Sequence, residues 1–483
     1  MRKFLRYAGI AGGTVALAVV GIAGPASATP PTGYGFDNTP HVIVGGGSDT
    51  TWAAQLRITQ LWDSSPACTS NNTPGAGLSD CLANANPETN TLGNYQRDTV
   101  SQAYPVGSGA GIDSLNNNTA GDNYVGTVNG TPANVDFARS SRAPKTTGGA
   151  CPGGNELTCD TFWGYAQDGV QISVFNGRSS IQSISGAISL ADIKNIYNCT
   201  DTQWSQVASL GIAPGSAQDG PIVVWGMNSS SGTYGTMKTW LQNVVGLGST
   251  YDIDSQACVH HLTGSGGTYP FENDIKPVVN DVLANGVAGS AAGLSGLNTD
   301  PSNPQNWIWF GSFGIASAYG YASNYPAANQ PTTGGPTLTT TEFSAPINGV
   351  LPSGSNILGN TWTIGRTLFH VTKKADADCP KTGGICDFVG NPGPGIGTGA
   401  TACAAGTTGA LCDLNVVGGA TGISGAVREY TRFQCRVNGT EQTLDPLTGK
   451  NYDTEITSAI KADGFQLVPV ALRTTGSRCN VIS

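Results

Sequence analysis

Four short segments rich in glycine and hydroxyl side chains stand where a predicted strand ends and a helix begins. They are residues 46–50, 106–111, 136–144 and 229–233. Glycine lets the backbone approach a ligand closely, and a helix N-terminus presents N–H groups that have no partner within the helix. Each segment alone is typical of an ordinary helix cap. Four of them in one chain predict a binding site for a small oxyanion.

The elements around these segments alternate between strands and helices. Apolar runs predict strands over 41–44, 135–138, 170–175, 221–225 and 465–470. Helical spacing of apolar residues predicts helices over 51–62, 189–197, 233–244, 273–284 and 424–433. Ser189 with Asp192 is a capping signal at the start of the second of these helices. The alternation predicts an α/β fold with mixed, mainly parallel sheets and helices on both faces.

Twelve cysteines indicate disulfide bonds in a chain that leaves the cytoplasm. The sequence does not prove their connectivity, but short spacings favour local pairs across long polar loops. The candidate pairs are Cys68–Cys81, Cys151–Cys159, Cys199–Cys258, Cys379–Cys386, Cys403–Cys412 and Cys435–Cys479. A zinc site is the alternative, yet the chain has no CxxC motif, and the one Cys/His cluster, at 258–261, is expected to be a loop.

The first 28 residues have the pattern of a signal peptide. Arg2, Lys3 and Arg6 precede an apolar run over 8–23, and Ala-Ser-Ala at 26–28 is a small-residue cleavage site. An N-terminal membrane anchor is the alternative. No cysteine precedes Cys68, so no lipid anchor is expected at the cleavage site. We therefore expect a secreted, extracellular protein without a lipid anchor.

Charge and motif content exclude several classes of function. Acidic residues outnumber Lys and Arg by 32 to 23, which gives a net charge of −9 and argues against a nucleic-acid partner. The chain contains neither the GxSxG elbow of α/β-hydrolases nor a P-loop. A glycosidase built on a pair of carboxylates stays open, because such pairs form only in three dimensions. We expect a protein that is not an enzyme and holds no cofactor or metal.

The four glycine-rich segments, in this order, resemble those of the phosphate-binding proteins of bacterial phosphate ABC importers, which have the periplasmic-binding-protein type II fold. Residues 189–204 resemble another stretch of that family, and 362–372 do so more loosely. The resemblance implies two lobes that close on a ligand without chemistry, in a monomer that serves an ABC permease. It implies a signal peptide at 1–28, lobe 1 at 29–164, lobe 2 at 165–360 and a return to lobe 1 at 361–483.

The resemblance also implies a set of ligand-binding residues. By position in the family segments they are Ser48, Thr50, Ser108, Ser140, Ser141, Ser231, Gly232 and Thr233. The chain departs from the family at Arg142, where an Asp is usual, and at Met227 and Ser229, where an Arg and an Asp are usual. Arg139 and Arg142 would replace the missing cation, because guanidinium matches tetrahedral oxyanions. Salt bridges are the alternative role of both arginines, and Asp49 would replace the missing acceptor.

These features predict a secreted solute-binding protein that captures a small oxyanion, phosphate first, in a cleft between two lobes. A secreted carbohydrate- or surface-binding module is the alternative, since the chain has 37 aromatic residues and few charges. The departures at Arg142, Met227 and Ser229 leave the exact ligand open.

Overall fold

The structure is a computed structural model, and it describes just under half of the chain. The described residues are 42–63, 99–102, 105, 107–117, 127–128, 131–132, 135, 137–175, 187–216, 218–260, 272, 307–319, 342–374, 452–473 and 479–482. The predicted signal peptide and the predicted helices over 273–284 and 424–433 lie outside these residues. Among the described helices, none combines the length and apolar character needed to cross a membrane.

Thirteen strands and seven α-helices are described. The strands are β1 (Val42–Gly47), β2 (Thr99–Gln102), β3 (Thr127–Val128), β4 (Thr131–Pro132), β5 (Phe137–Ser140), β6 (Asp160–Phe175), β7 (Val223–Trp225), β8 (Val259–His260), β9 (Trp307–Ser312), β10 (Glu342–Ser344), β11 (Gly365–Lys373), β12 (Gln466–Leu467) and β13 (Asn480–Ile482). The helices are α1 (Trp52–Asp63), α2 (Ser108–Asn117), α3 (Leu190–Tyr197), α4 (Gly232–Asn243), α5 (Phe313–Tyr319), α6 (Gly354–Leu358) and α7 (Tyr452–Ala462).

One long strand, β6, joins two parts of the main sheet. Its beginning pairs with β11, in a first half-sheet ordered β2-β1-β5-β11-β6. Its end, from Val170 onward, pairs with β9, in a second half-sheet ordered β6-β9-β7-β8. The chain returns late to the first half-sheet, because β12 and β13 also pair with the beginning of β6. Side chains that point toward the junction can therefore come from both half-sheets.

The sheet is mixed, as predicted, but its parallel part is smaller than the sequence indicates. Strand β1 is parallel to β2 and β5, and β7 is parallel to β8 and β9. All described partners of β6 run antiparallel to it. The difference arises because β6 begins ten residues earlier than the predicted strand over 170–175. Its first part carries polar residues that hide the strand pattern.

Most of the predicted elements that fall on described residues are confirmed within a few residues. Ser189 caps α3 and accepts a hydrogen bond from the Asp192 backbone N–H at 3.1 Å, as the capping signal predicts. The prediction of a final strand over 465–470 is largely wrong. There β12 contains only two residues and a short 3₁₀ helix follows Pro469, which has no N–H to donate to a neighbouring strand.

Two apolar cores pack against the sheet, and the larger extends across both half-sheets, since it also includes Phe137 of β5 and Leu368 of β11. The larger contains β6, β7 and β9 with the inner faces of α3 and α4, and includes the fully buried Trp204, Trp225 and Trp309. The smaller lies between α2, β5 and β11, around Ile112 and Phe369. Both cores place rigid strand ends beneath the glycine-rich segments.

Two of the predicted disulfides lie in the described residues and both are confirmed. Cys151 pairs with Cys159, and Cys199 pairs with Cys258. Cys479 is buried and disulfide-bonded. Its predicted partner Cys435 lies outside the described residues, as do Cys68, Cys81, Cys379, Cys386, Cys403 and Cys412.

Candidate functional site

Five hydroxyl side chains from four separate parts of the chain meet in one buried cluster. We call Ser48, Thr50, Ser108, Ser141 and Thr233 the hydroxyl cluster; all five are fully buried. The first two follow β1, and Ser108 begins α2. Ser141 follows β5, and Thr233 lies in the first turn of α4, after β7 of the second half-sheet. The cluster therefore joins the two half-sheets.

The cluster hydroxyls bond to one another. The Ser48 hydroxyl donates to the Ser141 Oγ at 3.0 Å, and the Ser108 and Ser141 Oγ atoms are 3.3 Å apart. The Thr50 and Thr233 Oγ1 atoms are 3.2 Å apart and link the two half-sheets. Hydroxyl groups can rotate to donate to an anion. The cluster is thus a set of donors that can turn toward a ligand with several oxygen atoms.

Three helices begin at the cluster, as the glycine-rich segments predict. These are α1, α2 and α4, and the first residues of the last two are Ser108 and Gly232. Each N-terminus carries a partial positive charge, because its first N–H groups have no partner within the helix. The backbone N–H of Gly109 donates to the Ser230 carbonyl at 2.9 Å, so α2 and the segment before α4 touch directly. This arrangement favours negative charge at the cluster.

Gly232 allows the close approach of the two half-sheets. A Cβ atom at this position would lie 2.4 Å from both the Ser108 and the Ser141 Oγ atoms. Gly111 plays a similar part beneath the cluster, because a Cβ there would lie 2.6 Å from the Gly47 Cα. Only glycine permits this packing.

Arg366 supplies a guanidinium group to the cluster. It lies on β11 and is 6% exposed. Its Nη1 donates to the Thr233 Oγ1 at 2.6 Å, and its Nη2 lies 3.4 Å from the Thr50 Oγ1. Asp168, its partner across the β6–β11 pair, accepts from Nε at 3.0 Å and from Nη2 at 2.7 Å. The Asp168 carboxylate therefore fixes the guanidinium in place against both threonines.

Glu272 brings a second carboxylate into the cluster. It is fully buried, and its Oε2 accepts hydrogen bonds from the Thr50 hydroxyl and, at 2.6 Å, from the Thr233 hydroxyl. Its Oε1 accepts from the backbone N–H of Ser312 at the end of β9. The cluster thus already contains one oxyanion, supplied by the chain itself.

Arg139, which the sequence favours as a ligand, supports the backbone beneath the cluster. Its Nε donates to the Ser48 carbonyl at 3.2 Å, and its Nη1 donates to the Gly45 carbonyl at 3.3 Å and to the Gln102 side chain. The guanidinium carbon lies 4.9 Å from the centre of the Trp52 ring. The Arg139 fork therefore points at β1 rather than at the cluster hydroxyls.

Arg142 is held by Glu156 instead of facing the cluster. Its Nη1 and Nη2 donate to the two Glu156 oxygens at 2.8 and 2.7 Å. Glu156 also accepts from the Lys145 backbone N–H at 2.8 Å. Burial and the neighbouring Arg142 lower the pKa of Lys145. A salt bridge, the alternative role considered for Arg142, is what the structure shows, although the pair is buried.

Three further predicted residues stabilise the turns around the cluster. The Ser140 hydroxyl donates to the Arg142 carbonyl at 2.9 Å, and the Ser231 Oγ caps α4 by accepting from the Thr233 N–H at 3.2 Å. Asp49 is fully buried, and its carbonyl accepts from the Trp52 N–H at the start of α1.

Of the predicted set, the structure brings together Ser48, Thr50, Ser108, Ser141, Gly232 and Thr233. It adds Arg366, Asp168 and Glu272, none of which the sequence analysis names. No short sequence pattern marks Glu272. Arg366 and Asp168 meet only through the register of β11 on β6, where opposite charges in paired strands attract.

Within the described part of the chain, one group of side chains has metal-ligand spacing, Cys151, Cys159 and Asp160. Its two sulfur atoms form a disulfide and are not thiolates, so this group does not suit a metal ion. Burial raises the pKa of Asp160 to about 6, while the Asn116 side chain donates to it at 2.8 Å.

Several solved structures are similar to this chain at low identity. One is a putative phosphate ABC transporter substrate-binding protein from Clostridium perfringens with bound phosphate, at 16% identity and a TM-score of 0.37, covering 73% of this chain and 98% of that one. Others are an ABC-type phosphate transport receptor from Vibrio cholerae (17%, TM-score 0.37, 70% and 88% covered) and PstS from Borrelia burgdorferi (17%, 0.31, 72% and 95%).

A comparison with curated proteins finds no match. A family model described as a PBP superfamily domain matches residues 88–333, which is just over half of the chain. The mixed sheet and its two half-sheets agree with the predicted two-lobed α/β fold. The chain belongs to the PBP superfamily.

Proposed function

We propose that the protein binds a small tetrahedral oxyanion, with phosphate as the first candidate, at the hydroxyl cluster. The observation that carries this proposal is the convergence of buried hydroxyls from both half-sheets on the guanidinium of Arg366. Anion binding would exchange the neutral bonds among the serine hydroxyls for charge-assisted ones, which are about twice as strong. The gain favours a ligand that carries several oxygens and negative charge.

The cation of the proposed site is Arg366, and Arg139 and Arg142 hold the surrounding backbone. This assignment rests on the contacts of the three guanidinium groups. Arg366 touches Thr50 and Thr233, whereas Arg142 is engaged by Glu156 through both of its terminal nitrogens. The proposed donor set is therefore the hydroxyl cluster, Arg366 and the N–H groups at the starts of α1, α2 and α4.

The carbohydrate-binding alternative needs exposed aromatic rings, and the described part of the chain offers little for it. Every tryptophan whose burial is described is at most 6% exposed. The large hydrophobic side chains that are exposed among the described residues are aliphatic: Val244, Leu358, Val470 and Leu472. We therefore propose anion binding ahead of sugar binding.

We further propose that the protein is exported and captures its ligand without chemistry, on its own or for an ABC permease. The signal-peptide pattern at 1–28 supports export. The Cys151–Cys159 and Cys199–Cys258 bonds support it as well, because disulfides persist in oxidising compartments. Both half-sheets contribute groups to the proposed site, which suits capture of a ligand by closure of two lobes.

Calorimetric titration of the purified chain with phosphate, sulfate and a soluble oligosaccharide tests the proposal. We expect saturable heat with phosphate at one site per chain. Heat with the oligosaccharide alone would refute anion binding. Heat with sulfate but not phosphate would keep an anion site and reject phosphate as its ligand.

A further inference from the structure

Glu272 occupies the donors that the proposed ligand needs. Its Oε2 accepts from Thr50 of the first half-sheet and from Thr233 of the second, and its Oε1 accepts from the Ser312 backbone. A carboxylate is itself an oxyanion with two acceptor oxygens. The side chain therefore makes, within the molecule, the contacts that we assign to an external anion.

The charges of the cluster argue against simultaneous occupation. The described charged groups in contact with its threonines are Arg366 and Glu272, and Asp168 already pairs with Arg366. The described charged groups at the cluster thus include two carboxylates and one guanidinium. Adding a phosphate dianion beside Glu272 would place like charges within a few ångströms in a buried site, where water screens their repulsion poorly.

The donors are also too few for two acceptors. Thr50 and Thr233 each have one hydroxyl hydrogen, and both hydroxyls donate to the same Glu272 oxygen. An external oxyanion can accept hydrogen bonds from these two hydroxyls only after their bonds to Glu272 break.

We propose that Glu272 is an internal ligand of the anion site, and that phosphate binds by displacing its carboxylate from Thr50 and Thr233. This inference rests on the proposed function of the same site. The apparent affinity for phosphate is then set by a competition between the external anion and a tethered one. If Glu272 occupies the donors in about nine of ten ligand-free molecules, it raises the apparent Kd about tenfold.

Two variants test the competition. Glu272→Ala removes the carboxylate, and Glu272→Gln keeps the shape but removes the charge. In calorimetric titrations with inorganic phosphate, we expect Glu272→Ala to bind about tenfold more tightly than the wild type. Glu272→Gln should also bind more tightly, but by less, because its amide oxygen still accepts from the two threonine hydroxyls. Glu455→Gln on α7 is the matched control, because it changes the net charge equally without contact to the hydroxyl cluster, and its Kd should not change.

A phosphate Kd that is unchanged or raised in both Glu272 variants would overturn the proposal. A raised Kd would instead make Glu272 a direct acceptor for a ligand proton. Tighter binding in Glu455→Gln as well as in the Glu272 variants would also overturn it, because the effect would then come from net charge.

Amide hydrogen exchange gives a readout that does not depend on anion binding. The Ser312 N–H donates to Glu272, so its protection in the ligand-free protein should fall in Glu272→Ala. Addition of phosphate to the wild type should also lower it, because displacement releases the same bond. If neither protein binds any anion, the proposed function fails, and loss of Ser312 protection in the variant would still support internal occupation. Unchanged protection in the variant would refute internal occupation.

Discussion

Replacing the pair Arg366–Asp168 tests the central claim about the cation of the site. Removing Arg366 alone would leave the buried Asp168 carboxylate unpaired, at a cost of about 3–5 kcal/mol in folding stability. The double variant Arg366→Gln/Asp168→Asn removes both charges and keeps polar groups of similar size. The Asn oxygen can still accept from the Gly314 N–H, which donates to Asp168 at 2.9 Å. We expect this variant to fold.

The expected loss of affinity follows from the contacts of the guanidinium. Arg366 reaches the cluster through two N–H groups, one at each threonine. A hydrogen bond to a charged group contributes about 1.5–3 kcal/mol. Loss of one such bond to the ligand should raise the phosphate Kd by about 10- to 150-fold. The variant Arg366→Lys keeps the charge but loses the planar fork, so its phosphate Kd should lie between those of the wild type and the double variant.

The assay is calorimetric titration with phosphate, after thermal melting has shown that each variant is folded. Arg57→Gln/Asp463→Asn is the matched control, because it removes a pair that links α1 to the end of α7 and includes a fully buried aspartate. Arg142→Gln/Glu156→Gln tests the arginine that the sequence favours. Both of these double variants should bind phosphate with a Kd within about threefold of the wild-type value.

One pattern of results would refute the assignment. If the Arg366 double variant binds phosphate as the wild type does while the Arg142 double variant loses binding, the cation of the site is Arg142. The Arg142–Glu156 pair would then have to open when the ligand binds.

Three other predictions concern closure and stability. Gly232→Ala should weaken phosphate binding more than tenfold in calorimetry, because its Cβ would collide with two serine hydroxyls, and an unchanged Kd would contradict the close approach. Burial raises the pKa of Asp160 to about 6, so the folded state holds the proton more tightly than the unfolded state and stability falls as pH rises from about 4 to 6. The free energy of unfolding of Asp160→Asn, measured in urea, should therefore exceed that of the wild type by about 1–3 kcal/mol above pH 6 and equal it near pH 4. A difference that does not depend on pH would contradict this. Replacing both cysteines of the Cys199–Cys258 bond by alanine should lower the free energy of unfolding by about 4 kcal/mol in the same assay, and the same change at Cys151–Cys159 by about 2.5 kcal/mol. The first bond closes a span of 59 residues and the second a span of 8, so the first restricts the unfolded chain more. Equal losses would contradict this loop-entropy argument.

The sequence predicts the hydroxyl part of the candidate site because its signals are local. A glycine-rich turn before a helix can be read from a few consecutive residues, and Ser48, Ser108 and Thr233 all lie in such turns. The order of these turns along a strand–helix alternation then indicates that they meet at one edge of the sheet. The helix starts confirm this reading at α1, α2 and α4.

The charged part of the candidate site could not be predicted in the same way. Arg366 and Asp168 meet through the register of β11 on β6, across 198 residues of sequence. The packing of whole strands fixes their register, and no short sequence pattern around either residue predicts that register. The apolar pattern predicts this strand only from Val170 onward, so Asp168 lies outside every predicted element. Glu272 lies still farther from any recognised motif.

Arg142 shows how a nearby partner can redirect a charged residue. It stands in the segment that resembles an anion-binding turn, and its guanidinium would suit a tetrahedral ligand. Glu156, only 14 residues later, offers two carboxylate oxygens at once. The Cys151–Cys159 bond closes the loop that carries Glu156 and so favours this pairing. The sequence contains both residues, but the choice between ligand and salt bridge depends on how that loop folds back.

The charge balance of the cluster indicates how it would attract an anion. Arg366 is neutralised by Asp168, so the pair contributes a directed dipole rather than a net positive charge. The remaining attraction must come from hydroxyl groups and from the backbone N–H groups at the starts of three helices. Oriented dipoles act over short distances and require contact, whereas net charge acts over many ångströms. Such a site selects for the shape and hydrogen-bonding capacity of the ligand, and the same dipoles can accept the chain's own Glu272 carboxylate when no ligand is bound.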